Sequence, residues 1–115
     1  MDAAIVFTYG RPAAGREGKA LEAFTEAMAF FGTRSHQGEC GEPLTFIGPS
    51  GKNLMVVPGF FEKLAVLVRT EEFFDLFTKA TLAAPDLGYE IGDYGAGVQS
   101  QMARWARFVG ELASI

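Results

Sequence analysis

The chain has 115 residues, of which 49% are hydrophobic and 21% charged, which excludes a disordered segment and fits a folded domain with its own core. Ten Lys and Arg stand against fourteen Asp and Glu, a net charge of -4 with the basic residues scattered. Neither nucleic acid nor a membrane surface is therefore an expected partner. The single Cys40 leaves no internal disulfide to form and fits a reducing, cytoplasmic setting.

One domain is expected over 1–115. It opens on a strand, Ala3 to Tyr9, where Ile5, Phe7 and Tyr9 alternate with Val6 and Thr8. Both faces are apolar, so this is an inner strand; with an acid at Asp2 and so short an apolar run, the N-terminus does not read as a signal peptide. After a loop around Pro12 comes the stretch on which the chain is built, Gly15 to Phe31. Leu21, Phe24, Met28 and Phe31 recur on one helical stripe, with Ala20, Ala23 and Ala27 beside it and Glu17, Lys19, Glu22 and Glu26 on the wet side. The helix is expected to pass Gly32 and run to Gln37, with Gly38 as its cap.

Cys40 to Gly48 and Lys52 to Val57 read as two strands of a hairpin turning at Gly48-Pro49-Ser50-Gly51. Phe60 to Val68 fits a helical period, although Leu64 to Val68 also fits a strand. Thr70 caps a further helix that presents Phe73, Phe77, Ala80 and Ala84 on one face and stops at Pro85. Leu87 to Tyr94 alternates again, and Gly88 and Gly92 thin one side of that strand, so close packing is expected there. Val98, Met102, Trp105, Val109 and Leu112 form a heptad stripe on a closing helix, expected to dock into the core.

This order of elements is a ferredoxin-like β-α-β-β-α-β sheet, an α+β fold, with an added C-terminal helix. Eleven Phe include three adjacent pairs, at 30–31, 60–61 and 73–74. Helical neighbours point about 100° apart, so each pair serves the core with one ring and a subunit interface or cavity with the other.

Few residues carry chemistry. Gly48-Pro49-Ser50-Gly51-Lys52 lacks the earlier Gly and following Ser or Thr of a phosphate loop, and it joins two strands. Gly95-Ala96-Gly97-Val98-Gln99-Ser100 lacks the third Gly of a dinucleotide fingerprint, which leaves a tight turn whose helix-start amides could hold an anion. His36 is the only histidine; with Cys40 as the only other soft ligand, no metal is expected, and His36 serves as a helix C-terminal cation, a general base or a haem ligand. Cys40 reads as a buried filler. Tyr9, Tyr89 and Tyr94 either line a pocket with their hydroxyls or pack in the core, and Arg11 either meets an acidic ligand or is solvated.

Element order, the Gly15-Arg16-Glu17 helix start, the Val57-Pro58-Gly59 strand end and the Gly95-Ala96-Gly97-Val98 turn together resemble uncharacterised bacterial proteins of the dimeric α/β-barrel group. That resemblance implies a homodimer whose two sheets face one another, and a pocket between sheet and helices in each subunit. The group includes cofactor-free monooxygenases, haem-linked enzymes, cyclases, isomerases and proteins without known activity, so fold does not choose function. Two readings follow. In one, a small, largely apolar molecule binds the sheet–helix cavity without a cofactor, with Tyr9, Arg11, His36 and Tyr94 as candidate ligand-binding residues. In the other, the aromatic surface serves dimerisation alone.

Overall fold

A computed structural model describes residues 1–113. The element order is β1 (Ala3–Tyr9), α1 (Glu17–His36), β2 (Leu44–Ile47), β3 (Asn53–Gly59), α2 (Phe61–Leu67), α3 (Glu71–Ala83), β4 (Gly88–Asp93) and α4 (Ala96–Ala113). The strands form one antiparallel sheet in the order β2-β3-β1-β4, with β1 inside as its two apolar faces require. Residues 60–68, ambiguous by pattern, are helical, and Leu64 and Leu67 of α2 enter the core.

α1 passes through Gly32 and ends in a Schellman motif. The Gly38 amide donates to the Ser35 carbonyl at 3.0 Å and the Glu39 amide to the Arg34 carbonyl at 2.9 Å. Gly38 has φ +76°, the left-handed conformation that this motif demands and that a side chain resists. Thr70 caps α3 as its sequence position implies, its hydroxyl accepting from the Phe73 amide at 3.2 Å. The β2–β3 turn closes with the Gly48 amide on the Lys52 carbonyl at 3.0 Å, so this stretch is a hairpin turn.

Helices α1 and α3 cover one face of the sheet. Ile5, Phe7, Met55 and Val57 rise from the strands to meet Phe31 and Phe73. Phe73 is the hub, with ring centroids at 5.3 Å from Tyr89, 6.0 Å from Phe77 and 6.2 Å from Phe7. The Phe pairs divide unevenly. Phe31 and Phe73 are buried; Phe30 is half-buried beneath the Arg34 guanidinium, 3.8 Å from its ring centre, and Phe74, Phe60 and Phe61 are exposed.

Two expectations change. Leu21 does not join the core stripe; it is 67% exposed, because the face of α1 turned to the sheet is centred on Ala20, Phe24, Ala27 and Phe31. The closing helix does not dock into the core. α4 touches little beyond β4 and buries no residue, and Trp105 is 61% exposed. It projects from the body and stretches the molecule to 58 Å. Its direction is fixed at the root, where a Cβ on Gly97 would run into the Asp2 carbonyl oxygen. A heptad stripe shows that a face is to be covered, not that the same chain covers it.

Candidate functional site

The face of the sheet under α1 and α3 holds more space than side chains fill. Where the two helices approach β1 and β3, the sequence places Ala20, Ala23 and Ala27 on α1 and Ala80 on α3. Small side chains at facing positions leave a void, here a cavity of about 340 Å³, within the size range of ligand pockets. Phe7, Tyr9, Asn53 and Met55 form its floor, and Phe24 and Phe77 close its walls. Leu21 and Ile47, both exposed, stand at its mouth, and Pro12 leans in from the β1–α1 loop. That loop is tied to the far side by the Gly10 amide on Asp86 Oδ1 at 3.2 Å and the Ala13 amide on the Ala83 carbonyl at 2.9 Å.

Two polar side chains interrupt this apolar lining, and they belong together. Tyr9 and Asn53 are direct partners in the β1–β3 register, so both side chains leave the same face of the sheet. The Tyr9 hydroxyl and Asn53 Oδ1 are shielded from solvent, and neither has a hydrogen-bond partner. Asn53 is held by its other end, Nδ2 donating to the Gly10 carbonyl at 3.3 Å. Burial raises the Tyr9 pKa above its ordinary 10.0, so the phenol keeps its proton at neutral pH. The pair therefore offers a donor-acceptor hydroxyl and an acceptor carbonyl on the same face of the sheet. No lining residue carries a charge, and none takes up a proton near pH 7. Such a cavity can bind and orient; a bound molecule would have to bring its own reactive group.

The four residues singled out from the sequence do not converge. Tyr9 lines the cavity. Arg11 is exposed beside the cavity loop and lies against Gly51 of the β2–β3 turn. His36 is exposed in the last turn of α1, where its charge suits the helix dipole, beyond the stretch of that helix lining the cavity. Tyr94 follows β4 and its amide bonds the Asp2 carbonyl at 3.1 Å, at the opposite end of β1 from Tyr9. Tyr89 packs among Phe7, Phe73 and Phe77 and does not line the cavity. Asn53 escaped the sequence reading. Its signal was there: Asn is depleted in strands, and alternation with Met55 and Val57 puts it on the inward face.

The helix-start amides at Gly95–Gln99 are not open to an anion. Those of Ala96, Gly97, Val98 and Gln99 donate to the carbonyls of Met1, Tyr94, Gly95 and Gly95. Cys40 is buried, and its thiol pKa is raised chiefly by that burial and secondly by Glu39, which keeps it protonated and unreactive. Among the described residues no three His, Cys, Asp or Glu side chains gather as a metal site needs. No helix of the described residues is long and apolar enough to cross a membrane.

No protein-family model matches the sequence, and no curated protein matches it. Solved structures do. A conserved protein of unknown function from Bacteroides thetaiotaomicron, described as a candidate oxidoreductase, is 18% identical with a TM-score of 0.63 over 81% of this chain and 98% of its own. A candidate antibiotic biosynthesis monooxygenase from Deinococcus radiodurans is 10% identical, with a TM-score of 0.62 over 81% and 92%. A cofactor-independent oxygenase from Streptomyces nogalater is 11% identical, with a TM-score of 0.60 over 82% and 91%. These structures share its ferredoxin-like α+β fold. At these identities the likeness is one of fold, and what this chain does rests on its own cavity.

Proposed function

We propose that this chain is a cytoplasmic homodimer that binds a small, largely apolar molecule in the sheet–helix cavity, and that the site can serve a cofactor-free enzyme. The observation that carries the reading is the pair of buried, unpartnered atoms, Tyr9 OH and Asn53 Oδ1, in an otherwise apolar cavity. An unpaired buried polar group costs about 1–3 kcal/mol, so two of them in one cavity are destabilising unless a ligand completes them. A ligand hydroxyl would do so by accepting from Tyr9 or donating to Asn53. The absence of charge among the lining residues favours a neutral ligand. A dimer built only on aromatic packing calls for phenylalanines in this space, whereas the facing alanines keep it open. Neighbours that include a cofactor-independent oxygenase support an enzymatic role in which the substrate supplies the reactivity.

The test uses 1-naphthol and naphthalene, a neutral aromatic with and without a hydroxyl, titrated into the protein by calorimetry. One molecule per subunit is expected, with naphthol the tighter. Ala27→Phe, which fills the cavity, should abolish both. Asn53→Ala should weaken naphthol about 5- to 10-fold, the size of one hydrogen bond, and leave naphthalene nearly unchanged. Undiminished binding to a folded Ala27→Phe variant would place the site elsewhere.

A further inference from the structure

The two ends of the cavity differ. Alternation along the strands sends Thr8, Leu54 and Phe46 to the open face of the sheet, turned away from α1 and α3, and the residues between them to the cavity side. There they form cross-strand rows. One row is Ile47, Asn53 and Tyr9, each the register partner of the next. The next row inward pairs Met55 with Phe7. Ile47 is 72% exposed at the mouth, whereas Met55 and Phe7 are buried with Phe31 and Phe73. The helices show the same asymmetry. The Ala13 amide bonds the Ala83 carbonyl where α1 begins and α3 ends, and Arg34 meets Glu72 at 2.6 Å where α1 ends and α3 begins, so the two run antiparallel. Lining positions on α1 run from Ala20 to Phe31, eleven residues on, or about 16 Å of helix at 1.5 Å each. Ala20 and Ala80 therefore lie toward the open end. Phe31 and Phe73 close the other, with ring centroids at 5.7 Å and 6.2 Å from that of Phe7.

We infer that the ligand is an elongated molecule with one neutral polar group at its end, a medium-chain alcohol being the simplest case, and that it lies tail-first: hydroxyl in the Tyr9–Asn53 row, hydrocarbon tail along the slot toward Phe31 and Phe73. This rests on the small-molecule site proposed above and goes beyond it by naming the ligand's class and its orientation. Three observations carry it. First, the unpartnered polar atoms, Tyr9 OH and Asn53 Oδ1, belong to the row at the mouth. Inward of that row no lining side chain carries a nitrogen or an oxygen. A ligand lying the other way would bury its hydroxyl among rings that offer it no partner, and would leave Tyr9 and Asn53 unsatisfied as well. Second, Asn53 is fixed at that row from the entry loop. Its Nδ2 donates to the Gly10 carbonyl at 3.3 Å, and the Gly10 amide donates to Asp86 Oδ1 at 3.2 Å, so the free oxygen cannot follow a ligand inward. A Cβ on Gly10 would run into that Asp86 carboxylate, so the tether depends on the glycine. Third, the slot is long. A compact ligand held at the mouth row would leave the closed end without contacts, and a polar group at mid-length would leave part of the tail outside in water.

The experiment titrates the primary alcohols from 1-butanol to 1-octanol into the full chain by calorimetry, with 4-octanol beside 1-octanol and 1-naphthol as the reference. Each added methylene should tighten binding about fourfold until the tail meets the closed end, where affinity levels off. Moving the hydroxyl to mid-chain should cost 4-octanol about 10-fold against 1-octanol, since it either loses the polar row or leaves methylenes in water. Two variants read the direction of the tail. Phe31→Leu opens the closed end and should move the plateau to a longer alcohol. Ala27→Val narrows the inner half of the slot and should move it to a shorter one, with 1-butanol bound as before; this variant carries the comparison alone if Phe31→Leu does not fold. Equal affinity for the two octanols, affinity indifferent to tail length, or a plateau that Ala27→Val leaves in place overturns the orientation. With 1-naphthol still bound at one per subunit, each of these leaves the site itself standing. Loss of 1-naphthol and of every alcohol together overturns both readings.

Discussion

Replacing Tyr9 by Phe should make the empty protein more stable and the ligand-bound protein weaker. The ring stays, so packing against the cavity floor is kept; only the hydroxyl goes, and it is buried without a partner. Removing an unsatisfied buried hydroxyl recovers part of a penalty of about 1–3 kcal/mol, and we take about 1 kcal/mol as the expected gain. For a chain of this length that is a rise of roughly 4 °C in the unfolding midpoint. The burial that raises the Tyr9 pKa adds a second signature. A tyrosine is neutral when protonated, and burial favours that form in the folded state. The unfolded chain therefore loses this proton first, near pH 10, and binds fewer protons than the native state above it. The stabilising contribution is complete below pH 10 and is lost as pH rises through the folded pKa, so the advantage of Tyr9→Phe should widen above pH 10. Urea denaturation at pH 7 and pH 10.5, read at unchanged slope, measures both, and calorimetry with 1-naphthol should show a loss of about 5- to 10-fold in affinity. A Tyr9→Phe variant less stable than the parent at pH 7 would mean that the hydroxyl is already paired, and the case for a ligand waiting on it would collapse.

Phe73→Ala, at the hub of the aromatic cluster and 2% exposed, should cost about 3–5 kcal/mol in chemical denaturation, enough to unfold a marginal domain. Thr70→Ala removes the hydroxyl that caps α3 and should cost about 1 kcal/mol, while Thr70→Ser should restore most of it.

The sequence discloses the fold because each element carries its own periodicity and punctuation. Thr70 before two acids, Gly38 after a helical run and the Gly48–Gly51 cluster between alternating stretches each specify a local geometry that the structure adopts. The sheet order follows from inner-strand character in β1. The cavity was less legible, because voids come from small residues that meet across elements. Ala27 and Ala80 lie 53 positions apart and say nothing until α1 and α3 are packed side by side. Asn53 was overlooked for the same reason, since its pairing with Tyr9 is a matter of register rather than neighbourhood. His36 and Tyr94 drew notice as rare polar or aromatic types, yet residue type does not tell which end of the sheet a side chain reaches. α4 shows a further limit. Its stripe is as regular as that of α1, and periodicity encodes an apolar face without encoding whether the chain's own core covers it.

The two surfaces, cavity and open sheet face, meet in β2, and that geometry makes a final prediction. β2 is a four-residue edge strand whose every residue is exposed. Alternation turns Leu44 and Phe46 to the open face and Thr45 and Ile47 to the cavity side, where Ile47 stands at the mouth. A short edge strand with one neighbour lies at the low end of local stability. In the homodimer proposed above, covering Leu44 and Phe46 would hold β2 against β3, and so hold Ile47 in place over the cavity. Ligand and partner then favour the same arrangement of one strand, and each must strengthen the other by the same factor per ligand bound. A coupling of about 1 kcal/mol corresponds to roughly fivefold. Titrating 1-naphthol at protein concentrations well below and well above the dimer dissociation midpoint should show that tightening, and saturating naphthol should lower the midpoint by the square of that factor, because each dimer holds two ligands. Phe46→Ala, which leaves the cavity lining untouched, should weaken both. If affinity for naphthol is the same in monomer and dimer, β2 does not connect the two surfaces, and cavity and interface work independently.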